Sequence, residues 1–497
     1  MSSLKLEKHS ALNSEERRNL LNSLLALCKR DAEDPSESSQ DFLRRFYKHP
    51  QCDQVMTPEI VLILGVRGAG KSALFKYLQA VRDFPGGSTL ILPASQKDLW
   101  TQGHGTGENF PQSGVLGPLV AQKNTKDTAE MFWLGRLLVA LMRVPRIAPI
   151  LESSLGPLYS QLKNFGNSPS SWLDNIASKR EEAYGALDQI ERNLKQDSLR
   201  LFVAYDNLDV LTPDIEASKR LIRQLLRQWL GFSNRYAFFR GKIFLRVDLF
   251  KSSELDFPDS SKLAGKSINL TWGKSQLYAL LFKRMANLSG EWAEYLKSLC
   301  PALILEKKEA LGFVPQNVGE QEQADIINGL VSEMMGKTAK KGRTVKWIPN
   351  NLQDGNGVSV PRSIFSLFGN AATHETTDPK AKRRQLLTPD DLRYGLVEAS
   401  KARVSEIGEE MPWVERACKI LEGKRVPLKR HECEKYFTQL QLNENDNECP
   451  AHNPSELIDW LHNVGVLRLT KDGRIHMPDI YRLAFGVKRI GGVPLPK

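Results

Sequence analysis

Eight consecutive residues, Gly65, Val66, Arg67, Gly68, Ala69, Gly70, Lys71 and Ser72, have the types and spacing needed to hold a chain of phosphates. Glycines let successive backbone N–H groups turn toward an anion, and the start of a following helix adds its dipole. The full pattern GxxxxGK[ST] supplies one ammonium for the outer phosphates, Lys71, and one hydroxyl for magnesium, Ser72. Further on, LFVAYDNLDVL closes an apolar run on Asp206. An acid at the end of an adjacent buried strand holds magnesium through water, so Ser72 and Asp206 are the candidate metal residues. Asn207 stands where many such enzymes carry a glutamate, and Asp209 follows two positions later. An amide orients water but cannot take its proton, and general-base catalysis typically contributes about 10² to 10⁴ in rate, so slow turnover is expected.

Two arginines complete the set. KIFLRVDLF ends a buried strand on Arg246, an expensive place for a charge unless an anion faces it. A γ-phosphate is one such partner; a salt bridge with Asp248 or Asp209 is the other. GVSVPRSIFSLFGNAA puts Arg362 at the start of a helix, where it is either solvated or carried by a lid onto the phosphates. No NKxD signal for guanine is present, so the ligands expected are ATP and Mg2+.

The elements that must position these groups follow from the hydrophobic pattern. EIVLILGV reads as a buried strand and SALFKYLQAVRDF as the helix after it, the opening of a βαβ unit. GGSTLILPAS, Gly86 to Ser95, reads as a second strand, and the Gly- and Gln-rich stretch to about Thr125 as a long loop or insertion. AEMFWLGRLLVALM, SWLDNIASKREEAYGALDQIERNLKQ and SKRLIRQLLRQWLGFSNRYAFF read as helices, and SLRLFVAYDNLDVL, GKIFLRVDLF and KSINLTW as strands. Before them, SEERRNLLNSLLALCKR is predicted helical behind a Ser14 cap, and DAEDPSESSQ a loop. After them the chain is mainly helical, with GKTAKKGRTVKW as a solvated loop. From Pro412, three helices and a hairpin around Asp472 and Gly473 have the plan of a winged helix-turn-helix. The fold class is α/β: a P-loop NTPase parallel sheet flanked by helices, then a helical lid, then a winged helix. The domains expected are 1–57 (N-terminal helical segment), 58–274 (P-loop core), 275–410 (lid) and 411–497 (winged helix).

Composition agrees with a multidomain folded chain: 497 residues, 41% hydrophobic and 26% charged. No apolar run reaches the roughly 20 residues that span a bilayer, and no secretion signal opens the chain, so a cytoplasmic protein without a membrane partner is expected. The six cysteines are expected as reduced thiols, and His431, Cys433, Cys449 and His452 lack the tight CxxC pair of a zinc site. A net charge of +11 favours a polyanionic partner.

The ordered set GVRGAGKS, YDNLD, FLRVD, the PR at a lid helix, LTPDDLRYGLVEAS and a winged helix resembles the AAA+ and STAND divisions of P-loop ATPases over roughly Pro58 to Gly492. It is especially similar to the origin-recognition ATPases and the bacterial KAP-like ATPases. The resemblance implies that Asp206 is the Walker B acid, Asp209 a second acidic position, Arg246 a sensor 1 arginine and Arg362 a sensor 2 arginine. Asn207 departs from the family's DE or DD pattern, which favours a switch that reads ATP occupancy. The family's trans-acting arginine finger has no firm match, although Arg235 and Arg240 lie in its neighbourhood. Action as a homo-oligomer or with a partner protein is implied, as is a bacterial anti-phage setting.

The function expected is therefore a slowly hydrolysing ATP-binding switch that couples Mg-ATP occupancy to assembly or partner engagement. The alternative is an ATP-regulated DNA-binding protein acting through its winged helix. Its recognition helix would be PSELIDWLHNVG, where Glu456 and Asp459 are acidic and only His462 and Asn463 offer contacts to bases. The basic residues Arg468, Lys471, Arg474, Arg482, Lys488 and Arg489 lie in and after the wing, suited to phosphates or to a protein. A third expectation is a fold that binds nucleotide only for stability.

Overall fold

The computed structural model describes residues 12–28, 37–83, 98–122, 126–252, 257, 260–337, 342–377, 385–440, 449 and 451–490. Helix α1 (Ser14–Leu24) begins after Asn13, whose side chain accepts from the amides of Glu15 and Glu16 while Glu16 accepts from the Asn13 amide. Asn13, not Ser14, is thus the cap, and it is held by a reciprocal pair of bonds. The end of DAEDPSESSQ is helical rather than loop, because the Ser38 hydroxyl accepts from the Asp41 amide and opens α2 (Ser39–Arg45).

Five strands form one parallel sheet in the order β2-β3-β4-β1-β5. They are β1 (Leu62–Gly65), β2 (Leu99–His104), β3 (Leu201–Tyr205), β4 (Phe239–Arg246) and β5 (Ser267–Asn269). Strands β1 and β3 are buried at every position, as parallel strands covered on both faces must be. Strand periodicity sorts their side chains between two clusters. Leu62, Leu64, Leu201, Val203, Ile243 and Leu245 enter the cluster that holds helices α4 (Lys126–Leu141) and α5 (Ile215–Arg235). Ile63, Ala204 and Phe244 enter the opposite one, with α2 and α3 (Lys71–Asp83).

The stretch to Thr125 corrects the sequence reading. It contains β2 and a helix, Ser113–Gln122, and GGSTLILPAS lies outside the described residues. LWTQGH carries no strand alternation because β2 is an edge strand, half-buried along most of its length. Its Gly103 is obligatory: a Cβ there would stand 2.3 Å from the Tyr205 ring.

The helices after the sheet include α6 (Lys274–Ala286), α7 (Pro361–Thr377) and α8 (Pro389–Glu410), joined by a hairpin, β6 (Leu305–Lys308) with β7 (Gly312–Pro315), that the sequence did not announce. Thr388 and Asp391 form a capping box at the start of α8. The segment GKTAKKGRTVKW is not all loop: its last four residues open a helix, Thr344–Leu352.

The final module contains α9 (Pro412–Lys419), α10 (Arg430–Phe437), α11 (Pro454–Asn463) and an antiparallel hairpin, β9 (Arg468–Leu469) with β10 (Ile475–His476). Two further pieces close it. A short helix α12 (Asp479–Arg482) follows the hairpin, and β8 (Arg425–Val426) pairs in parallel with β11 (Lys488–Arg489).

One apolar cluster runs through the lid and the winged helix together, from Leu20 and Leu24 of α1 through Trp292 and Phe368 to Trp413 and Tyr481. Residues 1–57 therefore divide: α1 packs with the lid, while Phe42 and Phe46 pack on the P-loop helix. Among the described residues no helix is long and apolar enough to cross a membrane.

Candidate functional site

The sheet order brings the site together. Strand β4 lies between β1 and β3, and in its register Gly65 is the partner of Arg246. Asp206 follows β3, one strand further on, so the strand that ends on Arg246 lies between those that carry the phosphate loop and Asp206.

The loop has the geometry its glycines allow. Gly68 and Gly70 take φ of +79° and +96°, values that side chains with a Cβ rarely adopt. Lys71 Nζ donates to the carbonyls of Gly65 (3.0 Å) and Val66 (3.2 Å), and the Ala69 carbonyl accepts from Trp272 Nε1 (2.8 Å). The Arg67 guanidinium reaches Glu409 (2.8 Å) and the Glu406 carbonyl (3.4 Å) on α8. Burial lowers the pKa of Lys71, and the nearby Asp206 and Asp209 oppose the shift.

Asp206 is buried and hydrogen-bonded to the Ser72 side chain. Burial pushes its carboxyl up to about 6, while Ser72, the Asn207 amide and Lys71 pull it down. A buried carboxylate beside a hydroxyl, both facing a cleft, is a hard-oxygen donor set that fits magnesium. The carbonyl of Asp206 is fixed by a residue the sequence reading missed. His104, at the end of β2, places Nδ1 3.0 Å from that oxygen. A carbonyl can only accept, so Nδ1 carries the proton, and burial lowers the His104 pKa to about 4, which keeps the ring neutral.

Asn207 adopts φ 59° and ψ 36°, the left-handed region in which asparagine is one of the few tolerated side chains. Arg246 grips Asp248 through two bonds (Nε to Oδ1 3.1 Å, Nη2 to Oδ2 2.7 Å) and lies 3.6 Å from Asp209. The salt-bridge partners foreseen for it are thus the ones it has. Arg362 starts α7 against the loop, its Cβ 3.4 Å from where a Gly68 Cβ would be, and its guanidinium donates to Glu406 (2.9 Å).

These groups line one cleft of about 650 Å³: Arg67, Gly68, Gly70, Lys71, Ser72, Asp206, Asn207, Asp209 and Arg246 from the core, and Arg362 with Arg284 from the lid. Gly65, Val66 and Ala69 contribute carbonyls behind it. At Gly70, Ala73, Arg284 and Phe365 the cleft continues into a small apolar slot walled by Phe46, Tyr47, Leu270, Trp272 and Leu280. The slot draws on residues before β1, at the end of β5 and in the lid, so no local pattern marked it.

Other expected residues lie elsewhere. Arg235 is bonded to Asp188 (2.9 Å), and Arg240 to the Tyr236 and Phe239 carbonyls. Both are near the start of β4, and the six residues from Arg240 to Arg246 place them roughly 20 Å from the cleft. In the winged helix, Asp459 pairs with Arg430 (2.8 Å), Glu456 accepts from the His452 amide (2.9 Å), and the Asn463 carbonyl accepts from Asn356 (3.2 Å). Arg474 pairs with Asp472, and Arg482 with Asp479.

No family model and no curated protein matches this sequence. Among solved structures the chain is similar to ORC1 of Aeropyrum pernix in complex with DNA, at 12% identity over 97% of this chain and 92% of that one, with a TM-score of 0.32. It is similar to ORC2 of the same organism in ADPNP–ADP complexes, at 14% identity over 96% and 94%, TM-score 0.37. Cdc6p of Pyrobaculum aerophilum gives 12% identity over 97% and 93%, TM-score 0.28. The strand order, the phosphate loop and the packing make this chain an α/β P-loop fold with a helical lid and a C-terminal winged helix.

Proposed function

We propose that this chain is a slowly hydrolysing ATP switch whose lid senses the nucleotide held by the P-loop. One observation carries the reading: Lys71, Ser72 and Asp206 from the core and Arg362 from the lid face one cleft, which opens into an apolar slot of nucleobase character. The backbone amides at Gly68 and Gly70 cradle the β-phosphate, and Lys71 exchanges its two carbonyl partners for phosphate oxygens. Magnesium, held by Ser72 and through water by Asp206, would neutralise phosphate charge. Asn207 orients water without accepting its proton, and Asp209, tied to Arg246, is a second acid on the same cleft.

Support for slow turnover comes from Asn207 itself, whose left-handed backbone favours asparagine over the glutamate of faster enzymes. The phage-defence setting implied by resemblance tells only where a partner would be sought. The test is calorimetry with Mg-ATP, followed by light scattering in the apo, ADP and non-hydrolysable ATP states. Binding abolished in Lys71→Ala, with a mass or shape change specific to the triphosphate, is expected. Unchanged affinity in Lys71→Ala overturns the reading.

A second reading, DNA engagement by the winged helix, is favoured by the exposed Arg425, Lys471 and Lys488. These suit phosphate contacts, whereas the exposed face of α11 presents Glu456, Asp459 and Trp460. Binding that does not weaken as salt rises counts against it.

A further inference from the structure

Glu406 sits at a junction that the phosphate-binding residues alone do not explain. Its two carboxylate oxygens are shared by two arginines: Arg362 Nη1 lies 2.9 Å from Oε1 and Arg403 Nη1 3.0 Å from Oε2. The glutamate and Arg403 side chains are each 12% exposed, so the pairing is largely shielded from solvent. Arg403 has two more partners. Its Nη1 approaches the carbonyl of Arg67 in the phosphate loop (3.4 Å), and its Nε donates to the hydroxyl of Tyr481 in α12 (3.2 Å). One guanidinium therefore touches the loop, the lid carboxylate and the winged helix.

We propose that Glu406 is a stand-in anion that positions Arg362 when no γ-phosphate is present, and that Arg403 carries its release to Tyr481. The inference rests on the ATP reading above and adds a regulatory element to the same site. A γ-phosphate presents the same kind of acceptor as Glu406, so Arg362 can exchange one charge-assisted bond for another. The exchange frees Oε1. Arg403 then has a carboxylate with both oxygens open, and its planar fork satisfies them best in a bidentate pose. That pose turns Nε away from Tyr481. ADP has no γ-phosphate, leaves Arg362 on Glu406 and leaves the Tyr481 bond in place.

The test uses the full chain and reads the affinities of a non-hydrolysable ATP analogue and of ADP. Glu406→Gln keeps the shape and removes the charge that competes with the phosphate. It is expected to raise the ratio of ATP-analogue to ADP affinity by about tenfold, the scale of one charge-assisted hydrogen bond. In an Arg362→Ala background the same substitution is expected to leave the ratio unchanged, because the effect passes through that arginine. A ratio unmoved by Glu406→Gln, or moved equally in both backgrounds, overturns the proposal. Should Glu406→Gln fail to fold, Glu406→Asp, which withdraws the carboxylate from Arg362, carries the same expectation.

Tyr481→Phe keeps the ring and removes only the hydroxyl. It is expected to raise the affinity ratio, because the bond it removes is made only in the ADP state, while abolishing the difference in amide exchange at residues 479–485 between the ATP-analogue and ADP states. Persistence of that difference overturns the role of Arg403. A wild-type chain that binds neither nucleotide would instead defeat the ATP reading, so the two failures are told apart by the first titration.

Discussion

Gly65 and Arg246 are register partners across β1 and β4, so the first residue of the phosphate loop and the arginine that ends the next strand share one edge of the sheet. The position is fixed by strand pairing, and the guanidinium is fixed by Asp248 and Asp209. Under the proposed ATP reading, a charge held this firmly beside the loop would report on the outermost phosphate. Arg246→Ala is expected to lower affinity for a non-hydrolysable ATP analogue by about tenfold and to change ADP affinity by less than about twofold, read by calorimetry.

Burial of Asp206 gives the second expectation. Its folded pKa, about 6, is raised above the ordinary carboxylate value of 3.8, so the folded apo protein holds this proton more tightly than the unfolded chain. The contribution of the group to stability is fully present below about pH 4 and is lost as pH rises through 6. Asp206→Asn is therefore expected to stabilise the apo protein near pH 7, by up to about 3 kcal/mol, with little change at pH 4. The same variant should lose the magnesium-dependent part of ATP binding, which in the wild type weakens as pH falls below 6. Thermal melts across pH, with and without magnesium, check both signs.

At Asn207 two effects pull in opposite directions. Glutamate would bring a proton acceptor, worth about 10² to 10⁴ in rate, to a backbone position where a longer side chain is strained by about 1–2 kcal/mol. Asn207→Glu is expected to hydrolyse ATP faster and to melt earlier. Phosphate release and a thermal melt measure the pair; a faster enzyme with no loss of stability would contradict the strain argument.

Trp272 lines the apolar slot and donates to the Ala69 carbonyl of the loop. With the base stacked there, Trp272→Ala is expected to weaken ATP and ADP alike, by about tenfold. Inorganic tripolyphosphate, which has no base, should bind the variant and the wild type within about threefold of each other once the loop is intact. Equal losses for all three ligands would mean that the tryptophan acts only through the loop.

What could be read in advance was whatever a short window contains. The phosphate loop is eight contiguous residues, Asp206 ends its own apolar run, and the winged module repeats helix periods that need no distant partner to be seen. The missed features depend on pairs far apart in the chain. Glu406 meets Arg67 across more than three hundred residues, and Phe46, Trp272 and Leu280 form one slot from three separate segments. β8 and β11 are two residues each and exist only because they pair with each other. β2 escaped notice because an edge strand with half-buried residues has no apolar alternation to show. The acidic Glu456 and Asp459 of α11 were legible in the sequence, whereas the amide and carbonyl partners of that helix became visible only in three dimensions.

The division of residues 1–57 has a mechanical consequence. α1 is anchored in the lid by its leucines and by Arg17, which donates to the Gln385 and Leu386 carbonyls, while α2 is anchored on the P-loop core. Neighbours in sequence, α1 and α2 thus belong to different apolar clusters, so a displacement of the lid away from the sheet would carry α1 with it and leave α2 in place.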